Sequence, residues 1–194
     1  LQISHDQNVD VALQAEGLYR RAKRLIVFDM DSTLIENEVI DEFARELGCI
    51  EAVARITREA MNGKMDFEQS LTERCKLLKG LTLEQVDRVY QRLQVTAGTE
   101  ELLPVLKQLG YKTALISGGF TVVTDRLRAR LGIDYAYANQ LEFREGQATG
   151  QVLPPIIGAQ RKADLLEVIA QREQILLDQV IAVGDGANDV LMLE

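Results

Sequence analysis

From residue 99 onward, strand-type and helix-type segments alternate, and this alternation constrains the fold more than any other feature of the chain. A helix is expected at about 99–109. A strand at Lys112–Ser117 follows, then Gly118-Gly119 and a helix through 121–131. A strand at Tyr135–Ala138 precedes a β-hairpin at Leu141–Thr149, with Glu145-Gly146 in its middle. A helix at Arg161–Gln171 leads to a strand at Gln179–Val183 that ends in Gly184-Asp185-Gly186. An earlier apolar run, Leu25-Ile26-Val27-Phe28, reads as a strand closing on Asp29. Strands separated by helices imply an α/β fold with a doubly wound, Rossmann-like parallel sheet. Such sheets bind ligands beyond the carboxyl ends of their strands.

One stretch breaks the alternation. Residues 38–93 carry no strand character, and their apolar residues fall on helical faces. Val39, Ile40, Phe43, Ala44 and Leu47 share one face, and Val53, Ile56 and Ala60 share a second. Phe67, Leu71, Cys75 and Leu78 share a third, and Val86, Val89 and Leu93 a fourth. Asp66 reads as an N-cap, and Thr82 with Gln85 as a capping box. A small helical-bundle cap inserted straight after the first strand is therefore expected, lying over the carboxyl end of the sheet as a lid. Gly80 and Ala97-Gly98 are candidate hinges for it. The expected division is 25–37 plus 95–194 as core and 38–94 as cap. Residues 1–24 form a linker, with an amphipathic helix at 10–23 ending in the basic run Arg20–Arg24.

Composition narrows the function classes. The 194 residues carry a net charge of −8, which argues against nucleic acid or an anionic membrane as the main partner. The basic run at 20–24 reads as a solvated helix end. Acidity does not exclude a phosphorylated ligand, because a cation can invert the local field. Two cysteines, Cys49 and Cys75, make neither a disulfide framework nor a zinc site and suit a reducing cytoplasm. The lone histidine, His5, lies near the start, so acid–base work falls to carboxylates. No run approaches a membrane span, and no signal peptide is visible. The chain opens on Leu1 and stops at Val190–Glu194, where a helix has barely begun, so it is expected to be part of a longer protein.

Chemistry-bearing residues cluster at the strand ends. Asp29 and Asp31 are spaced i, i+2, so both can face one pocket. Phosphoryl transfer needs an in-line nucleophile, a proton source, a cation and donors for the phosphate oxygens. Asp29 is the candidate nucleophile, and Asp31 is placed to protonate the leaving oxygen and then deprotonate water. Asp185 supplies a third hard oxygen for a cation such as Mg²⁺. Asp189, four residues on, can orient Asp185 or its waters. Ser117, with the backbone around Gly118 and Gly119, suits phosphate at a helix N-terminus. Lys162 supplies positive charge. A calcium-loop reading fails because Leu34 stands where that loop needs glycine. Glu38, Arg74, Met61 and Phe67, taken alone, read as solvated helix charges and core residues.

The order Phe-Asp-x-Asp-Ser-Thr (28–33), Ile-Ser-Gly-Gly-Phe (116–120), a lone Lys162 and Val-Gly-Asp-Gly-Ala-Asn-Asp (183–189) resembles the haloacid dehalogenase superfamily of phosphatases. Within it, the chain is most similar to the phosphoserine phosphatases, from about Leu25 to its end. The resemblance implies Asp29 as nucleophile and Asp31 as general acid/base. It implies Mg²⁺ on Asp29, Asp185 and the backbone carbonyl of Asp31, and phosphate on Ser117, Gly118 and Lys162, with Asn188 also touching substrate. Asn37–Asp41 resembles the segment whose acid, here Glu38, meets the serine ammonium. Phe67–Arg74 resembles the segment whose arginine, Arg74, grips the carboxylate, with Met61 and Phe67 shielding the pocket. The implied reaction is hydrolysis of O-phosphoserine through an aspartyl-phosphate, the last step of serine biosynthesis, in the cytoplasm. A phosphatase or phosphotransferase acting on another small phosphomonoester stays open, and a homodimer is compatible with the chain. The family pattern also implies a further strand and helix past Asp189 and an N-terminal regulatory domain of ACT type.

Overall fold

The computed structural model describes residues 22–194; His5, the 10–23 helix up to residue 21 and most of the 1–24 linker lie outside the described residues. Strand β1 (Leu25–Phe28) is followed by four helices: α1 (Val39–Glu46), α2 (Ile50–Met61), α3 (Phe67–Leu77) and α4 (Leu83–Arg92). Then come α5 (Thr99–Gln108), β2 (Lys112–Phe120), α6 (Thr121–Leu131), β3 (Tyr135–Arg144), β4 (Gln147–Leu153), α7 (Ala159–Arg172), β5 (Val180–Val183) and α8 (Val190–Leu193). The sheet order is β4-β3-β2-β1-β5, parallel throughout except for the β3–β4 hairpin.

Side chains alternate across β1 and β2 as strand geometry requires. Ile26, Phe28 and Leu115 join the core under α5, α6 and the inserted helices. Leu25, Val27, Ala114 and Ile116 pack on the other face against Leu165, Leu166 and Ile169 of α7 and Met192 of α8. Helices on both faces make the sheet doubly wound. In register, Phe28 sits beside both Leu115 and Val183, so β1, β2 and β5 deliver their following residues to one edge.

The helical insert leaves and rejoins the core through a two-chain neck. Ile35 bridges Val95, the Glu36 N–H donates to the Gln94 carbonyl at 2.9 Å, and the Thr96 N–H donates to the Leu34 carbonyl at 3.0 Å. The expected Thr82–Gln85 capping box starts α4, and the expected Asp66 cap starts α3, completed to a box by Gln69. Glu42 and Glu46 of α1 take Arg88 and Arg92 of α4 in a surface ion-pair network.

Three expectations need correcting. Tyr135–Ala138 and the first arm of the hairpin are one strand, β3, running unbroken to Arg144. Asn139-Gln140 looks like a break because both residues are polar, yet Asn139 is buried with bonded partners. Met61 neither packs in the core nor shields a pocket: it ends α2 with 82% exposure. Gly80 does not bound the insert. It lies between α3 and α4, and its N–H donates to Ala148 of β4 at 2.8 Å. The Ala148 N–H donates back to Leu81 at 2.8 Å, and the Leu83 N–H donates to Gly146 at 3.1 Å. The hairpin is therefore sewn to the cap.

Candidate active site

The chain leaves β1 in a wide turn, Met30–Leu34, closed by the Ile35 N–H on the Met30 carbonyl at 3.0 Å. Ser32 occupies the left-handed region at φ 54°, which disfavours a residue bearing Cβ. Its hydroxyl donates to Glu38 Oε1 at 2.8 Å, anchoring the turn to the start of α1. The turn sends the side chains of Asp29 and Asp31 into one cavity of about 140 Å³. That is small beside the ~300–1,000 Å³ of drug-sized sites. Asp29, Asp31, Gly118, Asp185 and Asn188 line it from the core, and Glu38, Phe67 and Arg74 from the insert.

Beneath the cavity, Lys162 of α7 is completely buried between two carboxylates, its Nζ 2.6 Å from Asp29 Oδ1 and 2.7 Å from Asp189 Oδ1. A charge this deep needs such partners, since removing one member of a buried pair typically costs about 3–5 kcal/mol. The other Asp189 oxygen accepts the Gly186 N–H at 3.1 Å, so Asp189 shapes the loop after β5. A Cβ on Gly184 would stand 2.5 Å from Asp189 Cγ, which is why glycine is required there. Oxygens of Asp29, Asp185 and Asp189 lie within 4.8 Å of one another. Three carboxylates against one ammonium leave two negative charges in an all-oxygen set, a donor chemistry that fits a hard divalent cation. Thr33 Oγ1 donates to Asp185 Oδ1 at 3.2 Å.

Asp31 accepts the Val39 N–H on Oδ1 at 2.8 Å and faces Ser117 Oγ across 3.4 Å on Oδ2. Burial first, then the Glu38 charge, pushes its carboxyl up to about 8. Burial also raises Asp29, although Lys162 works against it. Burial raises Glu38 and lowers Arg74. Arg74 Nε donates to the Ser70 carbonyl at 3.3 Å, which leaves the far end of its fork for the cavity.

The residues singled out from the sequence converge: Asp29, Asp31, Glu38, Arg74, Gly118, Asp185 and Asn188 line one cavity, and Ser117, Lys162 and Asp189 are buried around it. Phe67 lines the cavity and Met61 does not. Sequence reasoning missed Asn139, fully buried beside the Ser117–Gly119 segment. Its signal was a polar residue inside a strand-like stretch.

The family model described as a haloacid dehalogenase-like hydrolase matches residues 23–194. The chain belongs to this family. Among haloacid dehalogenase-like relatives, a phosphoserine phosphatase from Archaeoglobus fulgidus is 50% identical over 186 residues, covering 96% of this chain and 54% of that protein. A phosphoserine phosphatase from Streptomyces coelicolor is 49% identical over 185 residues, covering 95% of this chain and 45% of that protein. The chain thus spans about half the length of these two relatives. A solved phosphoserine phosphatase described as a phospho-aspartyl intermediate analogue superposes with a TM-score of 0.81 at 48% identity, over 88% of this chain and 81% of that one. The inserted helices are accordingly the cap of a haloacid dehalogenase-like core. No helix among the described residues is long and apolar enough to cross a membrane.

Proposed function

We propose that this chain is the catalytic part of a Mg²⁺-dependent phosphoserine phosphatase. The observation that carries the reading is a single small cavity shared by the Asp29/Asp31 pair of the core and the Glu38/Arg74 pair of the cap. A phosphorylated amino acid needs one anion for its ammonium, one guanidinium fork for its carboxylate and a phosphoryl site between core and cap. The relatives' names point the same way, and so does the analogue of a phospho-aspartyl intermediate.

In this mechanism a carboxylate oxygen of Asp29 attacks phosphorus in line. The bond from phosphorus to the serine oxygen breaks as the bond to Asp29 forms. Asp31, kept protonated at neutral pH by burial, gives its proton to the departing oxygen. Asp31 then takes a proton from water, which attacks phosphorus, releases phosphate and restores Asp29. Lys162 holds Asp29 in place and neutralises part of the charge gathered there. Ser117 and Gly118 hold the non-bridging oxygens, and Asn188 closes that side. Asp29, Asp185 and the Asp31 carbonyl would hold Mg²⁺, with Asp189 oriented behind them; when bound, the ion neutralises developing phosphoryl charge. The role in serine biosynthesis follows from this substrate, and a cytoplasmic setting agrees with free Cys49 and Cys75. Residues 25–37 and 95–194 make the core, 38–94 the cap, and 1–24 a linker.

The test is phosphate release from a panel of phosphomonoesters, with and without Mg²⁺. O-Phosphoserine should be preferred, and Asp29→Asn should abolish turnover while keeping the fold; near-normal release from that variant would sink the mechanism. Arg74→Ala should raise KM for phosphoserine far more than for a neutral phosphoester. Equal effects would point to another small phosphomonoester as substrate.

A further inference from the structure

Strand β2 contains a bulge at the phosphate segment. Ile116 pairs with Tyr137 and Phe120 with Asn139, so four steps along β2 match two along β3. A bulge of this kind releases backbone groups from the ladder, and buried backbone groups need partners. The Gly118 carbonyl finds its partner in a side chain: Asn139 Nδ2 donates to it at 2.8 Å. The other end of that peptide, the Gly119 N–H, donates to Ser117 Oγ at 2.8 Å. The peptide between Gly118 and Gly119 is thus pinned at both ends and cannot flip. On its far side, Asn139 Oδ1 accepts the Ile157 N–H at 2.7 Å. Ile157 precedes Gly158, the N-cap of α7, the helix that carries Lys162.

Asn139 is completely buried, and both ends of its amide are used. Its bonds form a chain: the Ile157 N–H to Asn139, Asn139 to the Gly118 carbonyl, the Gly119 N–H to Ser117, and Ser117 toward Asp31. The packing leaves little slack. A Cβ on Gly119 would stand 2.6 Å from Met30 Cε, 2.9 Å from Asp31 Oδ2 and 3.0 Å from Ser117 Oγ.

We propose that Asn139 is a positioning residue for phosphoryl transfer: one amide fixes the Gly118–Gly119 peptide and sets its separation from the start of the lysine-bearing helix. The proposal rests on the phosphatase reading above and deepens it. Asn139 touches no substrate; it acts through Gly118, Ser117 and α7. Asparagine suits the position because it is a donor and an acceptor at once. Aspartate keeps the acceptor for Ile157 but turns a second acceptor toward the Gly118 carbonyl. Alanine is neutral and removes both bonds.

The test compares the parent chain with Asn139→Asp and Asn139→Ala, all in Mg²⁺ and well below their unfolding temperatures. Inorganic phosphate is titrated calorimetrically, kcat and KM are measured for O-phosphoserine, and inhibition by free serine is recorded. Both variants should bind phosphate at least tenfold more weakly and lose at least tenfold in kcat, with serine inhibition within twofold of the parent. Serine inhibition reads the cap residues, so a general loosening of the site would move it too. Phosphate affinity and kcat within twofold of the parent in Asn139→Ala overturn the proposal. Equal losses in all three quantities also overturn it, since they describe a merely structural residue. If the parent releases phosphate from no monoester, the phosphatase reading falls, while the phosphate titration still compares the three chains. A parent that binds no phosphate ends both.

Discussion

At the scale of single residues, the site places acids where water is scarce. Asp31 keeps its proton up to about pH 8, against an ordinary 3.8, because burial and the Glu38 charge both oppose ionisation. An acid whose value is raised in the fold binds more protons folded than unfolded, so stability falls as pH rises through the interval between the two values. Below about pH 4 Asp31 is neutral in both states and contributes no difference. Above about pH 8 it is charged in both, and the full burial penalty stands. In protein stripped of divalent ions with EDTA, Asp31→Asn should unfold at a higher temperature than the parent at pH 8. The gap should narrow toward pH 4. A thermal-unfolding series across that range checks it, and a gap independent of pH would contradict the argument. On the proposed mechanism the same substitution should abolish turnover, because it removes the carboxyl assigned there as proton donor.

At the scale of elements, caps and bulges carry the precision. Asp66 accepts the Gln69 N–H at 2.8 Å, and Gln69 reaches back to the Asp66 N–H at 3.2 Å. This box starts the helix that presents Phe67 and Arg74 to the cavity. Asp66→Ala should lower stability by about 1 kcal/mol, as N-cap losses do, and should raise KM for phosphoserine more than it lowers kcat. Denaturant melts and steady-state kinetics read the two effects. The Thr82–Gln85 box and the Asp66 cap were legible in the sequence because such motifs are local; Gln69's reach back to Asp66 was not read there. The strand ends near Asp29 and Asp185 were legible too, where an apolar run is followed by a carboxylate directly or after one glycine. The full length of β3 was not legible. Asn139-Gln140 carries the polarity of a turn, and only the bulge in the neighbouring strand explains why an amide belongs inside the sheet. Met61 was misjudged for a different reason: an apolar residue was read as core and the resemblance set it over the pocket, whereas α2 buries only Val53 and ends exposed at Met61.

At the scale of the whole molecule, cap and core meet at more places than the neck. The Gly80–Leu83 segment exchanges backbone hydrogen bonds with Gly146 and Ala148 of the hairpin. On the surface, Arg126 of α6 pairs with Asp87 of α4 at 2.5 Å and lies over the Tyr90 ring. The surface pair is worth little by itself, whereas the backbone seam should make cap and hairpin open as one unit. Amide hydrogen exchange should therefore show Gly80, Leu83 and Ala148 exchanging with similar protection and rising together when Thr82→Ala weakens the start of α4. Protection of Ala148 that stays high while Gly80 opens would separate the two elements. This seam was out of reach of the sequence, because its bonds are between backbone groups far apart in the chain and leave no pattern in residue type.

Strand β3 has a mechanical consequence. It begins in the core, passes Asn139 beside Gly118 and reaches Arg144, a further five residues or about 17 Å at ~3.3 Å per residue. Its hairpin partner is fastened to the cap. A stretched strand barely lengthens under load, so it is built as a tie-rod between the inserted helices and the Gly118 segment. A tilt of the inserted helices would therefore pull on the strand that holds Gly118, and a shift at Gly118 would reach the hairpin at the far end of the rod.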